Sequence, residues 1–464
     1  MNNKKVIIVG GGWYGCHLSL VLRRMGFEVT ILEKNDKLFD EISGNFGIRN
    51  HVGLHYPRSE FTQKACLEGL IYLRETYPEL LISHEYAIYG VGTYDSHGKP
   101  SKVTPEEFKQ VFERLLCWLK CNGHEEMAEK WNEIDPKEYG YENLLYAVDV
   151  DEPSFAVGEL LRDKFYTWLT EAGVNILCNY KVTKVEKCDK NIKISISNGE
   201  VQIADYVINA TGYQSLQPRG PLPVNMEIFY QPCLALVYQD KRPTSDKPIS
   251  FIAMDGSFPC LMPIYDKKEF SHEYVLTHAQ WTLMNSYSTL VEANKHLMTV
   301  DEEFINNVVR PHCEDEMRRF YPEFLERFKY SGCKAGKTVV VLPKLRTEKE
   351  FRNAVTFQDN KSGMIFLFPG KINNLKHITD ETLALMGVTN DKQDNVVSCG
   401  SYRFVRDGIL NKCQFEIREK PKKNDKRNTA NVQTYQLPGK ISEKQTPPKF
   451  QTIASTLRTG CWIM

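Results

Sequence analysis

Four apolar residues, Val6, Ile7, Ile8 and Val9, run straight into three consecutive glycines, and a helix-compatible stretch follows. This junction constrains the chain more than any other feature. A short apolar run closed by glycine reads as a buried strand, and Gly10, Gly12 and Gly15 fall in the spacing G-x-G-x-x-G. Gly10 permits a tight turn, Gly12 lets the backbone approach a pyrophosphate, and Gly15 lets the helix pack closely on the strand. Leu18, Val21 and Leu22 give the helix an apolar face, Gly26 ends it, and residues 29–32 form the next strand, which stops at Glu33. An acid at that point accepts ribose hydroxyls and disfavours a 2′-phosphate. The free N–H groups of the helix start face the phosphate charge. The spacing therefore predicts a βαβ dinucleotide cradle, with Trp13, Tyr14 and Lys34 beside it. His17, one turn into the helix, is expected to pack inside it.

Lys+Arg and Asp+Glu both number 59, which argues against a basic nucleic-acid binder. With 42% hydrophobic and 25% charged residues, the chain as a whole has the composition of a folded globular protein. No apolar run approaches the ~18 residues of a membrane span. The four apolar residues before the glycines fall short of the about 7–15 of a secretory signal. Thirteen cysteines without a C-x-x-C pair or a pairing rhythm suggest free thiols in a reducing compartment. Cys117 and Cys121 share a helix face, and no His/Cys set has metal spacing, so no metal is expected. The neutral total hides an asymmetry. Residues 418–464 hold ten Lys/Arg against three Asp/Glu, so a basic tail balances an acidic body.

Up to about residue 400, strand-like and helix-like segments alternate. Residues 104–139 read as helical and charge-rich, 157–172 as a helix, and 174–177, 181–187, 193–197 and 206–209 as strands. A second sheet is expected from 229–265 and 274–278, a helix over 304–328, buried strands at 339–342 and 364–368, and a closing helix at 378–386. Beyond about residue 414 the pattern fails, which predicts a flexible tail.

Two segments separate FAD from NAD. Asp205 to Gly212 is a strand ending in Ala210-Thr211-Gly212, and Met364 to Asn374 is a strand feeding the turn Pro369-Gly370-Lys371-Ile372-Asn373-Asn374. A helix starting there would stabilise negative charge on a reduced flavin. With these residues, about 1–400 resembles the D-amino-acid-oxidase-like FAD-dependent oxidoreductases, which include glycine and sarcosine oxidases. The three segments occur in that family's order. The resemblance implies an α/β fold: a Rossmann-like FAD-binding domain of the two-dinucleotide-fold type (1–90, 150–220 and 335–400) interleaved with a mixed-sheet α+β substrate domain. The latter takes 221–334, with 91–149 as a helical insertion or cap and 414–464 as a disordered basic tail. It also implies FAD contacts at Gly10, Gly12, Trp13, Tyr14, Gly15, Glu33, Lys34, Arg49, Asn50, His51, Val182, Ala210, Thr211, Gly212, Gly370, Lys371 and Ile372.

Residues 44–59 are dense in chemistry, and the run from Arg49 to Ser59, R-x-H-x-G-x-H-Y-P-R-S, resembles a bacterial subgroup of that family. Arg49 and Arg58 bracket His51 and His55. Two guanidiniums could clamp a carboxylate or phosphate, and an imidazole could take a proton as hydride leaves the substrate. The alternative is that these groups only hold FAD, and covalent attachment of the flavin at a histidine is a third reading. Lys371 either offsets charge on reduced flavin and helps oxygen react, or is a solvated lysine at a helix start.

The final residues Cys461-Trp462-Ile463-Met464 fit C-a-a-X, with Met favouring farnesyl. The basic tail would supply the second membrane signal that one lipid needs. This resembles effectors that intracellular bacteria deliver into host cells, and implies synthesis in a cytoplasm followed by attachment to the cytosolic face of eukaryotic membranes. The sequence thus points to an FAD-dependent oxidoreductase that takes hydride from a CH–NH or CH–OH carbon of a small polar, anionic substrate. The alternatives are a non-redox flavoenzyme acting on a sugar nucleotide and an FAD-stabilised scaffold.

Overall fold

The first strand, Lys5–Val9, explains its own apolar run: Val6 and Ile8 point into one layer of the protein, Ile7 and Val9 into the opposite one. It lies inside an eight-stranded sheet in the order Val396–Cys399, Tyr402–Val405, Val355–Asp359, Ile365–Phe368, Tyr206–Asn209, Lys5–Val9, Glu28–Leu32, Asn175–Leu177. From Ile365–Phe368 to Asn175–Leu177 neighbouring strands are parallel, and the remaining three pair antiparallel. The computed structural model describes residues 4–405 except 46–47, 213–214, 219–225, 255, 268, 335–338, 346–354, 369, 389–395 and 400. The basic tail 414–464, its Cys461 and Pro369 lie outside the described residues.

Helices Trp13–Arg24, Gly158–Glu171 and Leu375–Met386 cover one face, burying Leu18, Leu161, Phe165 and Ile378 with Val6, Ile8, Val29 and Ile31. On the other face, the small sheet Val182–Cys188, Asn191–Ile196, Val201–Ala204 sets Val182, Val185, Ile192 and Ile194 over Ile7, Val9 and Val207. A parallel sheet covered on both sides needs strands that are apolar throughout.

A second eight-stranded sheet runs Phe328–Lys334, Ala235–Asp240, Glu273–His278, Pro259–Ile264, Ile249–Met254, Tyr86–Gly92, Leu144–Asp149, Asn132–Glu133. Helix Pro105–Cys121 starts at a Thr104/Glu107 capping box and lays Phe108, Val111, Phe112 and Leu115 in the cluster that holds Tyr89, Val91, Ile252 and Met262. Arg310–Phe320 packs Cys313, Met317 and Phe320 into the cluster of Leu236, Phe251 and Leu276. Among the described residues, no helix is long and apolar enough to cross a membrane. None of the ten cysteines with described side chains is disulfide-bonded, and the Cys117 and Cys121 sulfurs lie 3.8 Å apart on one helix.

Three segments sit elsewhere than expected. The 91–149 cap is an α-helix over Pro105–Cys121 and briefly over Glu125–Ala128, while Leu144–Asp149 and Asn132–Glu133 are strands of the second sheet. Tyr86–Gly92, which lies mostly within the stretch assigned to the FAD domain, pairs with Leu144–Asp149 across the intervening helix. A partner that distant leaves no local mark. Residues 339–342, expected with the cofactor-binding strands, belong to Val339–Leu345, which pairs with Met226–Pro232 in a separate two-stranded ladder. An apolar run does not say which sheet it completes.

Trp13 meets Phe39, Tyr77, Phe155 and Phe165 at centroid distances of 6.0, 5.6, 5.1 and 5.1 Å, so this ring is core. His17 is buried beside it, its Nδ1 2.7 Å from the Tyr77 hydroxyl; burial first, and Arg24 second, pull its pKa down to about 3. Phe165→Ala should therefore cost about 3–5 kcal/mol, read as a lower midpoint in urea unfolding; a change under about 1 kcal/mol would contradict this packing.

Candidate active site

Gly10 has φ of +105°, a conformation L residues avoid, and a Cβ there would come within 2.9 Å of the Ala210 carbonyl oxygen. The glycine turn and the Ala210-Thr211-Gly212 turn therefore abut, as their parallel strands require. At Gly15 a Cβ would lie 2.0 Å from the Gly10 carbonyl, so only glycine lets the helix start this close. No side chain caps the helix at Gly12, which leaves its first N–H groups for a ligand. Glu33 is buried above the turn, accepting from the Gly11 N–H at 2.7 Å and the Asn35 N–H at 2.9 Å, and burial raises its pKa. Lys34 turns to the surface and pairs with Glu41 at 2.9 Å. The Tyr180 N–H donates to the Glu33 carbonyl at 2.8 Å, which brings buried Val182 to the same end of the strands. Asn209, which the sequence reading passed over, shapes the second turn: its Oδ1 accepts from the Thr211 N–H at 3.0 Å and the Thr211 hydroxyl at 2.7 Å.

The third segment is tied to the first. The Tyr14 hydroxyl donates to the Lys371 carbonyl at 2.6 Å, and the Lys371 N–H donates to Asn374 Oδ1 at 3.0 Å. Ile372 is buried and Gly370 half-buried beside it. Asn373, also unforeseen, donates from Nδ2 toward Asn50 Oδ1 at 2.9 Å, the Cys66 carbonyl at 3.0 Å and the His51 carbonyl at 3.1 Å. Helix Glu60–Thr76 closes on this turn at Gly69, where a Cβ would be 2.0 Å from the Asn373 carbonyl. The Lys371 side chain is only 6% exposed, its Nζ stands 3.1 Å from the centre of the Tyr56 ring, and burial pushes its pKa well below the usual lysine value.

The histidine segment is buried against these turns. His51 and His55 are both buried, their ring centroids 6.2 Å apart, with Tyr56 6.1 Å from His51 and 5.3 Å from His55. Tyr89 lies 6.5 Å from His55. Gly53, at φ +101°, turns the chain where a Cβ would be 2.9 Å from the Gln63 carbonyl, and Gln63 Nε2 holds the Tyr56 carbonyl at 2.7 Å. The two arginines are placed differently. Arg58 is exposed, whereas Arg49 is 1% exposed and paired with buried Glu152, Nε to Oε1 2.6 Å, beneath the Tyr89 ring. Burial opposes the charge on Arg49, but Glu152 outweighs it and keeps the guanidinium ionised. No periodicity or motif marked Glu152 or Tyr89; one acid among Asp149, Asp151 and Glu152, just before Pro153, reads as an ordinary turn.

The glycine cradle, the uncapped helix start, Glu33 and the turn before Leu375–Met386 fit a dinucleotide carrying a flavin. The family model described as "FAD dependent oxidoreductase" matches residues 5–268. The chain belongs to this family. It is 41% identical over 437 residues to the FAD-dependent monooxygenase kojA of Aspergillus flavus, covering 93% of this chain and 97% of that one. It is 26% identical over 332 residues to an FAD-dependent monooxygenase of Fusarium mangiferae, covering 72% and 79%. Among solved structures, glycine oxidase from Geobacillus kaustophilus matches with TM-score 0.55 and 13% identity over 83% of this chain and 94% of that one. L-proline dehydrogenase from P. horikoshii matches with TM-score 0.56 and 14% identity over 84% and 95%. At such identities these two share the fold. The cofactor is FAD, and the chain is an FAD-dependent oxidoreductase.

Two outcomes follow from this geometry. Gly15→Ala should yield protein with little bound flavin, seen as loss of visible absorbance and at least about tenfold weaker FAD uptake by the apoprotein; stoichiometric flavin would contradict the cradle. For Lys371 the sign is set by proton counts. Its folded pKa lies below the unfolded value of about 10.4, so within that window the unfolded chain holds the extra proton and apoprotein stability rises with pH. Lys371→Met should flatten that rise and raise the urea midpoint at pH 7; an unchanged pH slope would contradict it.

Proposed function

We propose that this FAD-dependent oxidoreductase takes a hydride from a CH–NH or CH–OH carbon of a small polar, anionic substrate. When bound, FAD supplies a two-electron acceptor. The observation that carries the reading is the convergence of His51, His55, Tyr56 and Lys371 on the turn that Tyr14 ties to the phosphate cradle. His51 or His55 takes the proton from the substrate O–H or N–H. With Arg49 paired to Glu152, the cation offered to an anionic group is Lys371, whose pKa burial lowers and an arriving anion would raise. Burial of both histidines keeps bulk water from the transferred proton.

The relatives' names favour a second reading, monooxygenation, with oxygen as co-substrate. The two readings separate by incorporation of labelled oxygen into product, expected only for the second. The first is tested by anaerobic flavin bleaching across amino-acid, hydroxy-acid and sugar-acid panels. We expect bleaching with at least one anionic member, and a rate lowered about 10²–10⁴-fold in His51→Gln or His55→Gln with FAD content unchanged. Bleaching at the parent rate in both variants would remove the histidines from the chemistry. Attachment of the chain to the cytosolic face of a eukaryotic membrane through prenylated Cys461 is a separate part of the proposal. A farnesyl-sized mass increase in eukaryotic cytosol, absent in Cys461→Ser, supports it, and an unmodified chain ends it.

A further inference from the structure

Four groups from two parts of the chain meet at one buried carboxylate. Glu152 follows strand Leu144–Asp149 of the second sheet and is 1% exposed. Its Oε2 accepts from the Val52 N–H at 2.8 Å and from the Tyr89 hydroxyl at 2.7 Å. Its Oε1 lies 2.6 Å from Arg49 Nε and 4.0 Å from His51 Nδ1. The flanking backbone is fixed as well: the Asn50 N–H donates to the Pro153 carbonyl at 2.9 Å, and Arg49 pairs with Ser154 in a strand register. The groups beside the histidine pair include Glu152, Tyr56 and Tyr89, with Arg49 paired to Glu152 and Lys371 over the Tyr56 ring.

We propose that Glu152 is a positioning residue of the oxidation site: its carboxylate locks the 49–52 backbone to the second sheet and orients the His51 imidazole. The orienting role rests on the reading of His51 as a base; the locking role does not. At 4.0 Å the contact with His51 is electrostatic and not a hydrogen bond. A neutral imidazole facing an anion through Nδ1 keeps its proton on that nitrogen. This leaves Nε2 with the lone pair that accepts a proton, and the imidazolium formed is stabilised by the same carboxylate. Arg49 is the counterweight. Alone, a carboxylate among Val52, Tyr89 and the histidines would be an uncompensated buried charge; the guanidinium 2.6 Å away supplies the opposite charge. The site then holds a fixed dipole next to its base, and its substrate charge is met elsewhere.

The test uses the FAD-loaded full chain labelled with [15N]histidine, with the His51 signal assigned by its loss in His51→Gln. In the parent, the neutral form of His51 should be the Nδ1–H tautomer. In Glu152→Gln, which keeps the shape and removes the charge, the His51 titration should move down by about one pH unit and the tautomer preference should weaken. The limiting rate of flavin reduction should fall about 10–100-fold while the apparent substrate Kd stays within about threefold, a split that lost packing alone would not produce. A folded Glu152→Gln whose His51 titrates as in the parent, in the same tautomer, overturns the inference. The NMR arm needs no substrate, so a parent flavin that nothing reduces sinks the proposed function while this inference is still decided. Should Glu152→Gln fail to fold, the parent decides alone. His51 should then titrate above His55, which faces Tyr56 and Tyr89, and the reverse order with an Nε2–H neutral His51 overturns the proposal.

Discussion

The site depends on the side chain of one residue, Asn373. Its amide nitrogen faces three acceptors that belong to two stretches of chain far from it in sequence: Asn50 and the His51 backbone on one, the Cys66 carbonyl on the other. It is fully buried, so its two N–H donors have no water to fall back on, and each lost partner carries a desolvation cost of about 1–3 kcal/mol. Gly69 makes the contact possible from the helix side, because any Cβ would strike the Asn373 backbone. Tyr14 does the same from the phosphate side by holding the Lys371 carbonyl. Through these contacts the cradle, the C-terminal turn and the histidine segment are set relative to one another before any ligand enters, which is the preorganisation that redox positioning requires.

The electrostatics follow from burial. Three ionisable groups sit beyond the reach of water near the histidines, and they settle their charge in different ways. Arg49 and Glu152 cancel each other at 2.6 Å, an arrangement in which removing either partner strands the other at a cost of about 3–5 kcal/mol. Lys371 has the face of an aromatic ring beside its nitrogen, and burial holds its pKa well below the usual lysine value. The pair and the lysine thus differ: Arg49 and Glu152 are fixed partners, whereas Lys371 is the group whose charge is set by burial alone.

What the sequence made legible was carried by backbone constraints. Gly10, Gly12 and Gly15 announce the cradle because their spacing has a steric cause that the structure repeats at the Gly15–Gly10 and Gly10–Ala210 approaches. The apolar runs at 6–9, 206–209 and 365–368 announce a sheet covered on both faces. Adjacency to the motif does not say which way the Trp13 ring points: the ring belongs to the aromatic core, while its backbone opens the helix. Arg49 was legible as important and illegible in partner, since Glu152 comes about a hundred residues later, just beyond a strand of the second sheet, and such a pairing has no period to detect. The second sheet suffered most for the same reason: Tyr86–Gly92 finds Ile249–Met254 on one side and Leu144–Asp149 on the other.

This contrast bears on how the family varies its chemistry. The cradle works through backbone N–H groups, glycine sterics and one acid, and solved structures at 13–14% identity share its fold with TM-scores near 0.55. The 49–58 segment works through side chains, and its geometry is imposed by residues outside the cradle: Glu152 and Tyr89 from the second sheet, Gln63 and Gly69 from helix Glu60–Thr76, and Asn373 from the C-terminal turn. Changing the reaction therefore requires changing that shell together with the histidines. On the proposed reading, a single substitution at His51 leaves Glu152, Arg49 and the Val52 backbone in place around it, whereas a new substrate class needs the buried charges redistributed among them.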